Sequence, residues 1–97
     1  MATSSTARVS AVSVDSTQSV EIAPVSGDRE GLMIWNDSTA DLYLLFGTGT
    51  ASSTDYSFKM EPGDFYEMGN SVIYQGAIQG RWSAVDASGK ARVTELI

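Results

Sequence analysis

Two pairs of carboxylates and one glycine-rich stretch are the places where this sequence could do chemistry. Asp28 with Glu30, and Asp37 with Asp41, could supply oxygen ligands to a cation or an acid and a base to a hydrolase. Calcium needs six to eight oxygens from a dense acidic loop, and each pair here sits among turn residues, so solvated charge is the simpler reading. Gly47-Thr48-Gly49-Thr50 has the small residues of a phosphate cradle. No Gly-Lys-Ser/Thr follows it, and no predicted helix follows to aim amides at a phosphate. It reads as a hairpin loop. The chain has no His and no Cys, which removes Ser-His-Asp and Cys-His nucleophiles and disulfides, and disfavours zinc. The expectation is therefore a protein that is not an enzyme, with no cofactor, no metal and no small-molecule substrate.

Charge and length narrow the class further. Twelve acidic and six basic residues give a net charge of -6 over 97 residues. That balance argues against nucleic acid and anionic membrane as partners, because both need a basic patch. Apolar runs are too short to span a bilayer, and no basic-then-apolar leader opens the chain. Ser and Thr together number 22, Val and Ile 13, and Leu only five, a composition that favours strands over helices.

The elements that would carry these residues are short extended runs. Arg8 to Val14, Val20 to Ile22, Leu32 to Trp35, Leu42 to Phe46, Tyr56 to Met60, Phe65 to Met68, Val72 to Tyr74, Ala77 to Val85 and Ala91 to Leu96 alternate or run apolar between turn signals. Ser26-Gly27-Asp28, Asn36-Asp37-Ser38, Gly69-Asn70-Ser71 and Asp86 to Lys90 break them. Glu61-Pro62-Gly63-Asp64 predicts a type II turn, since Pro presets φ at the second position and Gly accepts positive φ at the third. Gly76 and Gly80 weaken their run or mark bulges. The predicted architecture is all-β: an antiparallel β-sandwich or small jelly-roll-like barrel of about eight short strands. One domain spans residues 8–97. Residues 1–7 form a polar arm, read either as a frayed terminus or as a segment that orders on a partner.

Two strands carry more apolar surface than one core can use. In Leu32-Met33-Ile34-Trp35 and Leu42-Tyr43-Leu44-Leu45-Phe46 both faces are apolar. Leu32, Ile34, Leu42, Leu44 and Phe46 fill the core. The other face, Met33, Trp35, Tyr43 and Leu45, then needs cover from a loop or from a partner subunit. The two Trp and four Tyr allow a second reading, a platform for stacking sugars, against ordinary packing of large rings.

Several segments taken in order are similar to those of small virion accessory proteins of tailed bacteriophages. These are Arg29-Glu30-Gly31-Leu32-Met33-Ile34-Trp35-Asn36-Asp37-Ser38, Leu42 to Gly47, Pro62-Gly63 with Tyr66-Glu67, Tyr74 to Trp82, and Gly89 to Leu96. Two positions depart from the pattern: Arg81 stands where an apolar residue is expected, and Met68-Gly69-Asn70-Ser71 replaces a shorter Pro-containing link. The resemblance covers residues 8–97 and implies a capsid decoration or cement protein with no catalytic residues. It implies a homo-oligomer, as a trimer, bound to the major capsid protein on the exterior of the virion after assembly in the host cytoplasm. On this expectation Met33, Trp35, Tyr43 and Leu45 form the subunit interface, and Thr3, Ser4, Ser5, Thr6 and Arg8 of the arm region contact the shell. The alternatives are a virion-borne carbohydrate-binding adhesion module, in a head fibre or tail, and a small carboxylate-only hydrolase.

Overall fold

The computed structural model describes residues 6–68 and 72–97, so the expected breaker Gly69-Asn70-Ser71 and the arm residues Thr3, Ser4 and Ser5 lie outside it. The described residues form eight strands and no helix. These are β1 (Ala7–Val12), β2 (Val20–Ala23), β3 (Gly31–Asp37), β4 (Leu42–Phe46), β5 (Phe58–Met60), β6 (Phe65–Glu67), β7 (Ile78–Trp82) and β8 (Lys90–Leu96).

Pairing follows the logic of a folded ribbon. β4 pairs with β5, β3 with β6, β2 with β7 and β1 with β8, all antiparallel. This double ribbon winds on itself, so that β8 also lies beside β3 and β7 beside β4. Two four-stranded sheets result, in the orders β1-β8-β3-β6 (sheet A) and β2-β7-β4-β5 (sheet B). That is the strand order of a jelly roll.

The core lies between the sheets. Sheet A contributes Leu32, Ile34, Ala91 and Val93; sheet B contributes Ile22, Leu42, Leu44, Ile78 and Trp82. Leu32, Ile34, Leu42 and Leu44 are buried as the alternation predicts, and Phe46 packs against them at the margin. Phe46 stacks on Tyr74 at 5.0 Å and meets Phe58 and Tyr66 edge-on. Gly80 permits a close approach of the sheets' own side chains. A Cβ there would sit 2.7 Å from Ile22 Cγ1, and the bulge of the region falls on the opposing strand, between Glu21 and Ala23. The type II turn forms as expected: Gly63 has φ 85° and the Asp64 amide donates to the Glu61 carbonyl at 2.9 Å.

Several boundaries differ from expectation: β1 ends at Val12, β5 begins at Phe58 and β7 ends at Trp82, short of the expected Val14, Tyr56 and Val85. The Ile97 amide donates to the Thr6 carbonyl and Ala7 pairs with Leu96, so the β1 ladder takes in the last two residues of the expected arm. Val72 to Tyr74 form no strand. Their neighbours are tied instead by Arg29, which is fully buried. Its guanidinium donates to Glu95 Oε2 at 2.8 Å and to the carbonyls of Pro24, Tyr74 and Gly76 at 2.6–3.0 Å. The second Glu95 oxygen meets Arg8 Nε at 3.2 Å.

Asp86 fixes another link. It accepts from the amide and hydroxyl of Thr39 and from the Gly89 amide. The Thr39 amide, then its hydroxyl, hold the Asp86 carboxyl below its ordinary value of 3.8.

Removing one member of a buried ion pair costs about 3–5 kcal/mol, and Arg29→Met should lower the urea midpoint accordingly. Arg29→Met with Glu95→Met should not recover the loss, because three carbonyls still lack a donor; a double variant as stable as the parent would contradict this role. A depressed folded pKa stabilises above the unfolded value and is lost as pH falls through the folded one. Stability should therefore drop more steeply below pH 3.8 in the parent than in Asp86→Asn, as read by urea midpoints across the acid range.

Candidate functional site

β3 and β4 belong to different sheets, so their outward residues look away from each other. Met33 and Trp35 lie on the outer face of sheet A, and Tyr43 and Leu45 on the outer face of sheet B. The single apolar face expected from sequence is thus two faces with different fates.

On sheet B the loop 47–57 covers the strands. Tyr56 packs on Tyr43 with ring centroids 5.0 Å apart. Gly49 rests on Leu45, where a Cβ would lie 3.0 Å from Leu45 Cδ2. Ala51 is fully buried and its amide donates to Ser19 Oγ at 3.0 Å. Arg81, the departure from the expected pattern, is on this outer face opposite Tyr43 and donates to the Ser16 carbonyl at 3.0 Å. An apolar residue there would lose that bond.

On sheet A nothing among the described residues covers the equivalent face. Register places Val9, Thr94, Met33 and Glu67 in one row, and Ala11, Arg92, Trp35 and Phe65 in the next. Val9, Trp35 and Phe65 are 75%, 42% and 58% exposed, and Met33 is half-buried. Arg92 crosses this band to bind Asp37 at 2.7 Å. The result is an apolar patch of Met33, Trp35 and Phe65 on β3 and β6, separated from Val9 and Ala11 on β1 by Thr94 and Arg92 of β8. Sequence reading missed Val9 and Phe65. Each was read for its own strand, and only the β1-β8-β3-β6 order sets Phe65 beside Trp35 and puts Val9 in the row of Met33, across Thr94.

The remaining candidates fall elsewhere. Arg8 is tied to Glu95 and to Ser26 Oγ within its own domain, and Thr6 joins the β8 ladder through its carbonyl. Asp37 faces Arg92, and Asp41 faces Lys59 at 4.0 Å, so the two carboxylates do not share a site. Asp28 and Glu30 line an open groove with Thr6, Gly27, Gln75 and Ile97. Among the described residues no group of three or more acidic side chains converges as a metal site would require. Gly47-Thr48-Gly49-Thr50 belongs to the loop over sheet B. Trp82 is in the core, and its indole N–H is buried with no acceptor among the described residues. Of the two Trp, Trp35 alone offers a ring to solvent.

Acrylamide quenching in dilute solution tests this placement. Trp35→Phe should remove the quenchable emission and leave the shielded, blue-shifted signal of Trp82. Unchanged quenching would put Trp35 out of solvent.

Compared with models of protein families, with curated proteins and with solved structures, the chain matches none.

Proposed function

We propose that this chain is a structural protein of a bacteriophage virion, a decoration or cement protein that binds the major capsid protein on the outer surface of the shell and stabilises it. The observation that carries this reading is the uncovered outer face of sheet A, where Met33, Trp35 and Phe65 adjoin and Val9 lies across β8 from them. Soluble domains rarely leave a contiguous apolar band open unless it binds something. Sheet B packs the loop 47–57 against Tyr43 and Leu45, whereas sheet A leaves Trp35 and Phe65 exposed side by side. Flat, rigid aromatic surface is also what dominates protein–protein interfaces. The resemblance across residues 8–97 supplies the partner, and jelly rolls recur in viral capsid domains, although fold alone does not fix function. The net charge of -6 suits a protein that assembles on the shell in the presence of host nucleic acid without binding it. Association with further copies of itself fits the same reading, and we assign it to the face of sheet A that carries Met33 and Trp35.

One observation favours a second reading. Trp35 stands beside the Arg92–Asp37 pair, and an exposed indole flanked by hydrogen-bonding groups can stack a sugar ring. Jelly rolls also occur among lectins.

Binding to empty capsids, followed by co-sedimentation, separates the two. Trp35→Ser and Phe65→Ser should each weaken capsid binding by about tenfold or more, as central aromatic anchors do, and leave the melting temperature near that of the parent. Deleting residues 2–5 should weaken it if the arm also touches the shell. Full binding by both aromatic variants would reject this surface. Glycan binding lost in Trp35→Ser, with no capsid binding by the parent, would establish the second reading.

A further inference from the structure

A sheet edge is a row of unpaired amides and carbonyls, and natural proteins protect such edges by shortness, charge, proline or bulges. Three of the four edges here are protected. β5 and β6 have three residues each, and β5 carries the exposed Lys59. β2 is bulged between Glu21 and Ala23 and runs into Pro24. β1 has none of these devices. It is six residues long, Ala-Arg-Val-Ser-Ala-Val, regular in register, without proline, and pairs on one side only. Its one charge, Arg8, is held by Glu95.

The ladder fixes which of its groups point outward. The Ile97 amide donates to the Thr6 carbonyl, and bonded and non-bonded pairs alternate along an antiparallel ladder. Arg8, Ser10 and Val12 therefore aim their amides and carbonyls at β8. Ala7, Val9 and Ala11 aim theirs away from the sheet, where no strand among the described residues meets them.

We propose that two copies of this chain pair antiparallel through β1, joining their A sheets into one continuous eight-stranded sheet about a two-fold axis at Val9. The occupant is a second copy because the strand is complementary to itself in this register. Centred on Val9, the pairing sets Ala7 opposite Ala11 and Val9 opposite Val9. Every outward amide and carbonyl of these three residues then meets one of the partner's. Arg8 falls opposite Ser10, so the strand's one charge never faces itself. A one-residue slip would set inward-directed groups against outward-directed ones and lose the bonds. Val9, 75% exposed in the single chain, becomes covered at the axis. The rows holding Met33 and Trp35 then extend across both copies. This pairing does not rest on the virion reading, and its two-fold symmetry differs from the trimer that the resemblance implies.

Light scattering and amide hydrogen exchange on the whole chain test it. The parent should be a dimer at micromolar concentration, and the Ala7, Val9 and Ala11 amides should gain protection as concentration rises while Arg8 and Ser10 are protected throughout. Val9→Lys sets like charges face to face at the axis and should weaken pairing by at least about tenfold, as should Val9→Glu. Because Val9 is exposed, both variants should keep the parent's circular dichroism. Mixing Val9→Lys with Val9→Glu should restore the dimer. A monomeric parent, an oligomer indifferent to Val9→Lys, or a mixture that stays monomeric would each overturn the pairing, whether or not the protein binds capsids.

Discussion

A ribbon that crosses from one sheet to the other loses its ladder at every crossing, and the backbone groups stranded there must find other partners. The whole fold rests on how this chain meets that constraint. Among the described residues, the ribbon crosses between β2 and β3, and beside them between β6 and β7, with no strand pairing. Arg29 supplies the missing donors. One planar guanidinium reaches Pro24, Tyr74 and Gly76 carbonyls and the inward-facing Glu95 of β8, a task for which its fixed fork of N–H groups is suited and a lysine is not. Gln75 adds side-chain bonds to the carbonyls of Gly27 and Arg29. The burial of a full charge is tolerated because all of these acceptors converge on it.

The other crossings use the same device with other residues. Where β3 leaves for β4 and β5 leaves for β6, the fully buried Asn36 donates to the carbonyls of Ala40 and Met60 and accepts from Ser38 Oγ. Its backbone meanwhile bonds Gly63 and Asp64 of the type II turn. Where β1 leaves for β2, Arg81 takes the Ser16 carbonyl and the Trp82 amide takes that of Asp15. β3 is thus held beyond one end by Arg29 and at the other by Asn36. That fixes its register and, with it, the side on which Met33 and Trp35 emerge.

The strands themselves were legible, because period-two alternation and turn chemistry are local. Leu42 to Phe46 and the Glu61 to Asp64 turn stand where those signals put them. The crossings were not legible. A charged residue in a polar turn, such as Arg29, reads as solvated until the carbonyls around it are known. Asn36 reads as a turn residue when it is the last inward-facing side chain of a strand. Val72 to Tyr74 has strand-forming residues, yet the nearby carbonyls are taken by Arg29 rather than by a neighbouring strand. Sheet membership is likewise non-local. The surplus of apolar surface on β3 and β4 was visible in sequence. That winding would send the two surfaces to opposite sides was not.

The unequal treatment of those two sides carries the functional argument. A domain of 97 residues has little core to spare, and covering an apolar face from within costs chain. Sheet B uses the loop 47–57 for this, with Ala51 and Tyr56 as its anchors. Among the described residues sheet A has no such loop. β3 is followed by a link of only four residues before β4, and the turn from β5 into β6 is equally short, so neither can fold back over Trp35 and Phe65. These two short links leave Trp35 and Phe65 open. Both residues share sheet A with β1, the one long and unguarded strand edge, so the molecule presents its apolar face and its open ladder on the same sheet. On the proposed reading another polypeptide completes this surface, and the residues that would make it recognisable are few: Val9, Met33, Trp35 and Phe65.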